Sequence, residues 1–96
     1  MDRLASIVQV SESAAHTARL AQRKAREHAV HLSSIMRETA ETLEKSATLA
    51  DEHALRHERA GDRQAAAEER QVAARAREAA HRARGYANQW QPRAEQ

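Results

Sequence analysis

From Asp2 to about Arg59 the sequence contains neither Gly nor Pro. These residues interrupt helices most reliably, Pro because it lacks an N–H and clashes with the preceding turn, Gly because of its backbone freedom. Over the same run the apolar and small residues step by three and four: Leu4, Ile7/Val8, Ser11, Ala14/Ala15, Ala18, Ala21, Ala25, Ala29, Leu32, Ile35/Met36, Thr39, Leu43, Ser46 and Leu49/Ala50. That spacing keeps side chains on one helical face, and sustained over several heptads it describes a coiled-coil seam. One α-helix over residues 2–59 is therefore expected, roughly 80 Å long at 1.5 Å per residue, with Asp2 as its N-cap. Ser11-Glu12-Ser13 and Ser33-Ser34 are the places where it would kink, because serine competes for backbone hydrogen bonds.

Composition points the same way. Hydrophobic residues make up 41% of the chain but most are Ala, with 2% aromatic and no Phe, and 31% of residues are charged. Ala, Glu, Arg and Gln are strong helix formers, and this mixture with a 3.5–3.6 period marks long helices rather than disorder. The 96 residues allow one domain.

The break falls at Ala60-Gly61-Asp62. Gly61 suits a left-handed position ending the first helix, and Asp62 suits the cap of the next. So short a connection makes the second helix, expected over 63–89, antiparallel to the first. It carries Ala65, Val72, Ala76, Ala79, Ala83, Tyr86 and Trp90 at helical spacing, passing Gly85 without losing phase; Gly85 behind Arg82 and Arg84 is the alternative stop. Pro92 and the polar end, residues 91–96, read as a disordered tail. Residues 1–90 thus form a single all-α helical hairpin of coiled-coil type.

Folding about Gly61 sets Val72 near Ala50, Ala79 and Ala80 near Leu43, and Tyr86 and Trp90 near Leu32–Met36. Leu32, Ile35, Met36 and Leu43, closed by Trp90, are the expected interface residues, at roughly 1.5–3 kcal/mol per fully buried large side chain. Residues 4–30 keep an apolar face that nothing in the chain covers. Arg19, Arg23, Lys24 and Arg26 make the first half of the long helix basic, whereas Glu38, Glu41, Glu44, Asp51 and Glu52 make the second half acidic. Antiparallel long helices crossing near Leu32–Ile35 set unlike blocks together, and a parallel pair sets like against like. The expectation is a two-fold homodimer with Ile35 near the axis, each half a three-helix bundle. A hairpin whose N-terminal half waits for another protein is the other arrangement.

Candidate chemistry is sparse. His53 and His57, four apart, share a helical face and are the first candidates for a divalent metal, but a tight site wants three protein ligands. His28 and His31, three apart, have the same shortage. Glu78 and His81 match the Glu-x-x-His spacing of di-iron bundles, yet the inward positions read as Ala, Leu and Thr, so no cofactor is expected. Near a helix C-terminus a solvated histidine pair accounts for His53 and His57 equally well. For nucleic acid the candidates are Arg19, Arg23, Lys24 and Arg26, with a second basic face at Arg70, Arg75, Arg77, Arg82 and Arg84. Acidic residues interleave both, and pairs such as Glu78 with Arg82 explain them as solvated faces.

The chain has no Cys and a net charge of +2. Without Gly-rich loops or a pocket-sized core, nothing activates a nucleophile or cradles a phosphate, so no enzymatic activity is expected. No apolar run is long enough to cross a bilayer, and residues 1–10 lack the basic lead and apolar core of a signal peptide. The expected location is the cytoplasm. The stretch Ala50…Ala54…Gly61-Asp62…Ala66…Ala73 is similar to the small-residue skeleton and Gly-Asp turn of one tetratricopeptide repeat. It covers about a quarter of the chain, and His53, His57 and Arg70 stand where that family has large apolar residues. The resemblance implies helix-turn-helix packing and protein–protein binding. A structural or adaptor protein acting through self-association and protein contacts is the function expected, with nucleic-acid binding and a metal-binding bundle as alternatives.

Overall fold

The computed structural model describes the backbone of residues 2–90 and the side chains of residues 3–90. The expected cap at Asp2 rests on a side chain outside this range, and the tail at 91–96 lies outside it altogether. Two helices make the fold: α1, Asp2–Arg59, and α2, Arg63–Trp90. No strand occurs among the described residues. The molecule measures 90 × 23 × 13 Å, and the 58 residues of α1 at 1.5 Å each account for about 87 Å of the long dimension.

α1 runs without interruption through both serine clusters where a kink was considered. The side chain of Ser33 has a better partner than its own helix. Its hydroxyl donates to the Ala87 carbonyl of α2 at 2.9 Å, across 54 residues of sequence, so the competition that bends helices is absent there.

The turn is built as its residues require. Gly61 has φ +82°, a left-handed conformation that costs an L side chain about 1–2 kcal/mol. Its N–H donates to the Glu58 carbonyl at 3.0 Å, and the Asp62 N–H donates to the His57 carbonyl at 2.8 Å. This is the paired closure of a Schellman motif, and it satisfies carbonyls that the helix end leaves over. Asp62 then opens α2: its Oδ1 accepts from the Ala65 N–H at 3.0 Å and its carbonyl accepts the first helical bond, from Ala66. One residue therefore closes α1 and caps α2, which fixes the antiparallel return.

The seam between the helices differs in phase from the stripe of bulky residues. The buried residues are Ala40, Ala47, Ala50 and Ala54 of α1 with Ala66, Ala73, Ala80, Ala83 and Ala87 of α2, joined by buried Ser33. Ser33, Ala40, Ala47 and Ala54 lie seven apart, as do Ala66, Ala73, Ala80 and Ala87, so both helices present a small residue at each heptad. Methyl-sized seams let two backbones approach closely, which is how a serine hydroxyl reaches a main-chain carbonyl of the facing helix. Packing forms two clusters, Ala40, Ala80 and Ala83 with Leu43, and Ala47, Ala50 and Ala73 with Ala76. The level of pairing agrees with the hairpin register, but α2 is turned by one residue. Ala73 takes the place foreseen for Val72, and Ala87 the place foreseen for Tyr86.

Gly85 does not end α2. A glycine inside a helix costs about 1 kcal/mol against Ala. Here the Ser33–Ala87 bond on one side and an Arg84–Glu44 pair on the other hold the last turns to α1.

Candidate interaction surfaces

A buried methyl or methylene contributes about 0.8 kcal/mol, and no large side chain is fully buried among the described residues. The hairpin core is therefore thin, and its two long edges and the part of α1 beyond α2 carry most of what the chain can bind with.

The two edges have opposite chemistry. At about 100° per residue, the residue four after a seam alanine turns about 40° to one side, and the residue just before it turns about 100° to the other. On the first edge stand Glu44, Asp51 and Glu58 of α1, seven apart, facing Arg84, Arg77 and Arg70 of α2, also seven apart. Each acid pairs with its arginine. The Arg84–Glu44 pair is bidentate, Nε to Oε1 at 2.9 Å and Nη2 to Oε2 at 2.8 Å. That double hydrogen bond holds the Glu44 carboxyl below its ordinary pKa and pushes Arg84 further up. These pairs are exposed, so their worth lies in fixing register more than in stability.

The opposite edge is mostly apolar and small, apart from Glu38 and the His53–Glu69 pair near the turn. From α1 it receives Leu32, Ile35, Thr39, Ser46 and Leu49, and from α2 Val72, Ala79 and Tyr86. Val72 is 49% and Tyr86 55% exposed, and Leu49 52%. Thr39 and Thr42 turn their hydroxyls back onto the carbonyls of Ile35 and Glu38, at 2.9 and 3.0 Å. A shallow groove there is lined by Ile35, Glu38, Thr39, Thr42 and Leu43.

Beyond the end of α2, every described α1 residue from 3 to 28 is exposed. Leu4, Ile7, Val8 and Val10 are among the exposed large apolar side chains. Arg19, Arg23, Lys24 and Arg26 lie on this bare arm.

The interface residues named from sequence divide. Leu32, Met36 and Leu43 are half-buried against α2, while Ile35 and Trp90 are 38% and 45% exposed and lie outside the alanine seam. Among the metal candidates, half-buried His53 stands 4.0 Å from Glu69, and His57 sits at the turn, its carbonyl taken by Asp62. Glu78 and His81 are exposed on α2. Among the described residues no three His, Cys, Asp or Glu side chains gather as a metal site would need. Arg70, Arg75, Arg77, Arg82 and Arg84 do not act as one basic face, because Arg70, Arg77 and Arg84 are engaged by the acids of α1. The sequence carries the signal of that ladder in the seven-residue spacing of Glu44, Asp51 and Glu58 in one helix and Arg70, Arg77 and Arg84 in the other.

No described helix is long and apolar enough to cross a membrane. Compared with protein-family models, curated proteins and solved structures, the chain finds no match.

Proposed function

We propose that this chain is a non-enzymatic structural or adaptor protein that works by helix–helix association, beginning with a second copy of itself. The supporting observation is the bare arm: about half of α1 offers an apolar stripe that no other part of the described chain covers. A helix of that length, held in water with Leu4, Ile7 and Val8 exposed, gains its packing from a partner. The opposite charge balance of the two halves of α1 favours an antiparallel partner helix. From 3 to 30 it carries five basic and two acidic residues, and from 31 to 59 four basic and six acidic. Light scattering across chain concentration and at two salt levels tests the proposal. It expects twice the chain mass, and a chain that stays monomeric throughout contradicts self-association.

A further inference from the structure

Resting on that self-association, we infer that the apolar edge of the hairpin is a groove for the N-terminal arm of a second copy, so that two chains build one continuous three-helix bundle.

Length is the first argument. α2 has 28 residues, which gives a groove about 42 Å long, and the exposed arm from 3 to 28 spans about 39 Å on the same rise. When two α1 helices lie antiparallel about a two-fold near Ile35, each arm falls alongside the other chain's hairpin. Counted about a midpoint between residues 33 and 34, arm residues 8–28 face residues 59–39 of the other α1.

Helical phase is the second argument. Leu4, Ser11, Ala18 and Ala25 step by sevens, with Ile7, Ala14 and Ala21 between them, and the same series continues as Leu32, Ile35, Thr39, Thr42, Ser46 and Leu49. In the hairpin half this series lies beside the seam that α2 occupies, and it is exposed or half-buried throughout. A helix packed there touches α1 through that series and α2 through Val72, Ala79 and Tyr86. In the arm the row that carries the α2 seam continues as Arg26, Arg19, Glu12 and Ala5, beside Ala29, Gln22, Ala15 and Val8, so this side is largely polar. The arm thus lays one apolar face, the row from Leu4 to Ala25 with Ile7, Ala14 and Ala21, into the groove, with Arg19 and Arg26 beside it.

Chemistry is the third. The groove floor is small, with Ala79 and Ser46 opposite an alanine-rich arm, and such surfaces accept a close third helix. The threonine hydroxyls are bonded to their own backbone, so covering them leaves no unsatisfied donor. Glu44, Asp51 and Glu58 are held on the far edge, and Glu38, which lines the groove, stands outside that ladder to face a basic arm. The occupant is accordingly a second copy of this chain.

The test compares the wild-type chain with Val72→Asp and with Ala67→Asp, an exposed site on the other side of α2. Each is measured by sedimentation equilibrium, with far-UV circular dichroism to follow helix content. Expected are a dimeric wild type, a dimeric Ala67→Asp and a monomeric Val72→Asp that keeps the helicity of the hairpin. A dimeric Val72→Asp overturns the groove while leaving self-association standing; a monomeric wild type overturns both. Should Val72→Asp lose its helicity, disulfide exchange decides. The chain has no cysteine of its own, so Ala21→Cys and Ser46→Cys chains are mixed and oxidised. These positions are about 38 Å apart within one helix but level with each other across the two-fold. The groove predicts mixed disulfides in excess, and self-linked Ala21→Cys pairs in their place contradict it.

Discussion

The same substitution at the two glycines should have opposite effects. At Gly61 φ is +82°, and a Cβ built there meets nothing within 4 Å. The cost of Gly61→Ala is therefore backbone strain alone, about 1–2 kcal/mol. Ala also narrows the unfolded ensemble, which returns about 0.4–1 kcal/mol, for a net loss near 1 kcal/mol. Gly85 sits inside α2 with nothing within 4 Å of its built Cβ, so Gly85→Ala gains the helix propensity of alanine, about 0.5–1 kcal/mol. For a domain this small, 1 kcal/mol moves Tm by about 4–8 °C. Thermal melts followed by circular dichroism should be run at one chain concentration, because association itself raises Tm. Gly61→Ala should melt lower, Gly85→Ala higher, and the double variant close to wild type, since the sites are remote and additive. A Gly85→Ala chain that melts lower would show that α2 does not pass through Gly85 as a regular helix. An unchanged Gly61→Ala would refute the left-handed closure.

Three further outcomes follow from the seam and the charged edge. Ala47 is fully buried among Ala50, Ala73 and Ala76, so Ala47→Leu should prise the helices apart and cost about 1–3 kcal/mol in urea unfolding. Ser33→Ala continues the alanine row and removes only the bond to the Ala87 carbonyl, a loss of about 0.5–1.5 kcal/mol by the same assay. Glu44 has its pKa lowered by the Arg84 hydrogen bond. A carboxyl lowered on folding stabilises above its unfolded pKa, and that contribution disappears as pH falls through the folded value. Melts between about pH 3 and 7 should therefore show an acid-side loss that is smaller in Glu44→Gln.

How much of this was legible in the sequence differs by element. The hairpin could be read because Gly61 and Asp62 can do little else between two helical runs, and the absence of Gly and Pro left α1 no other break. Which face packs was harder. Reasoning from bulk sends Val72, Tyr86 and Trp90 into the seam, because large side chains release most free energy when buried. In an antiparallel pair with alanine at every heptad, close backbone approach does the packing, and bulky residues one position round are left at the edge. The signal was present as alanines seven apart in both helices, but alanine is so common in this chain that its spacing is easily taken for composition. The arginine ladder was hidden for a related reason. Glu78 and Arg82 suggest pairing along one helix, and only the fold reveals that Arg70, Arg77 and Arg84 reach across to the other.

The central claim is that two α1 helices associate antiparallel, crossing between Leu32 and Ile35, and distance between identical sites tests it most directly. A spin label at Arg23→Cys, on the exposed arm, would lie about 32 Å along the axis from its counterpart if the two-fold falls between residues 33 and 34. Pulsed dipolar spectroscopy should therefore give one distribution between about 30 and 40 Å, allowing for the width of the helices. A distribution below about 20 Å would mean parallel chains, and the absence of dipolar coupling would mean that the arm does not meet a second copy.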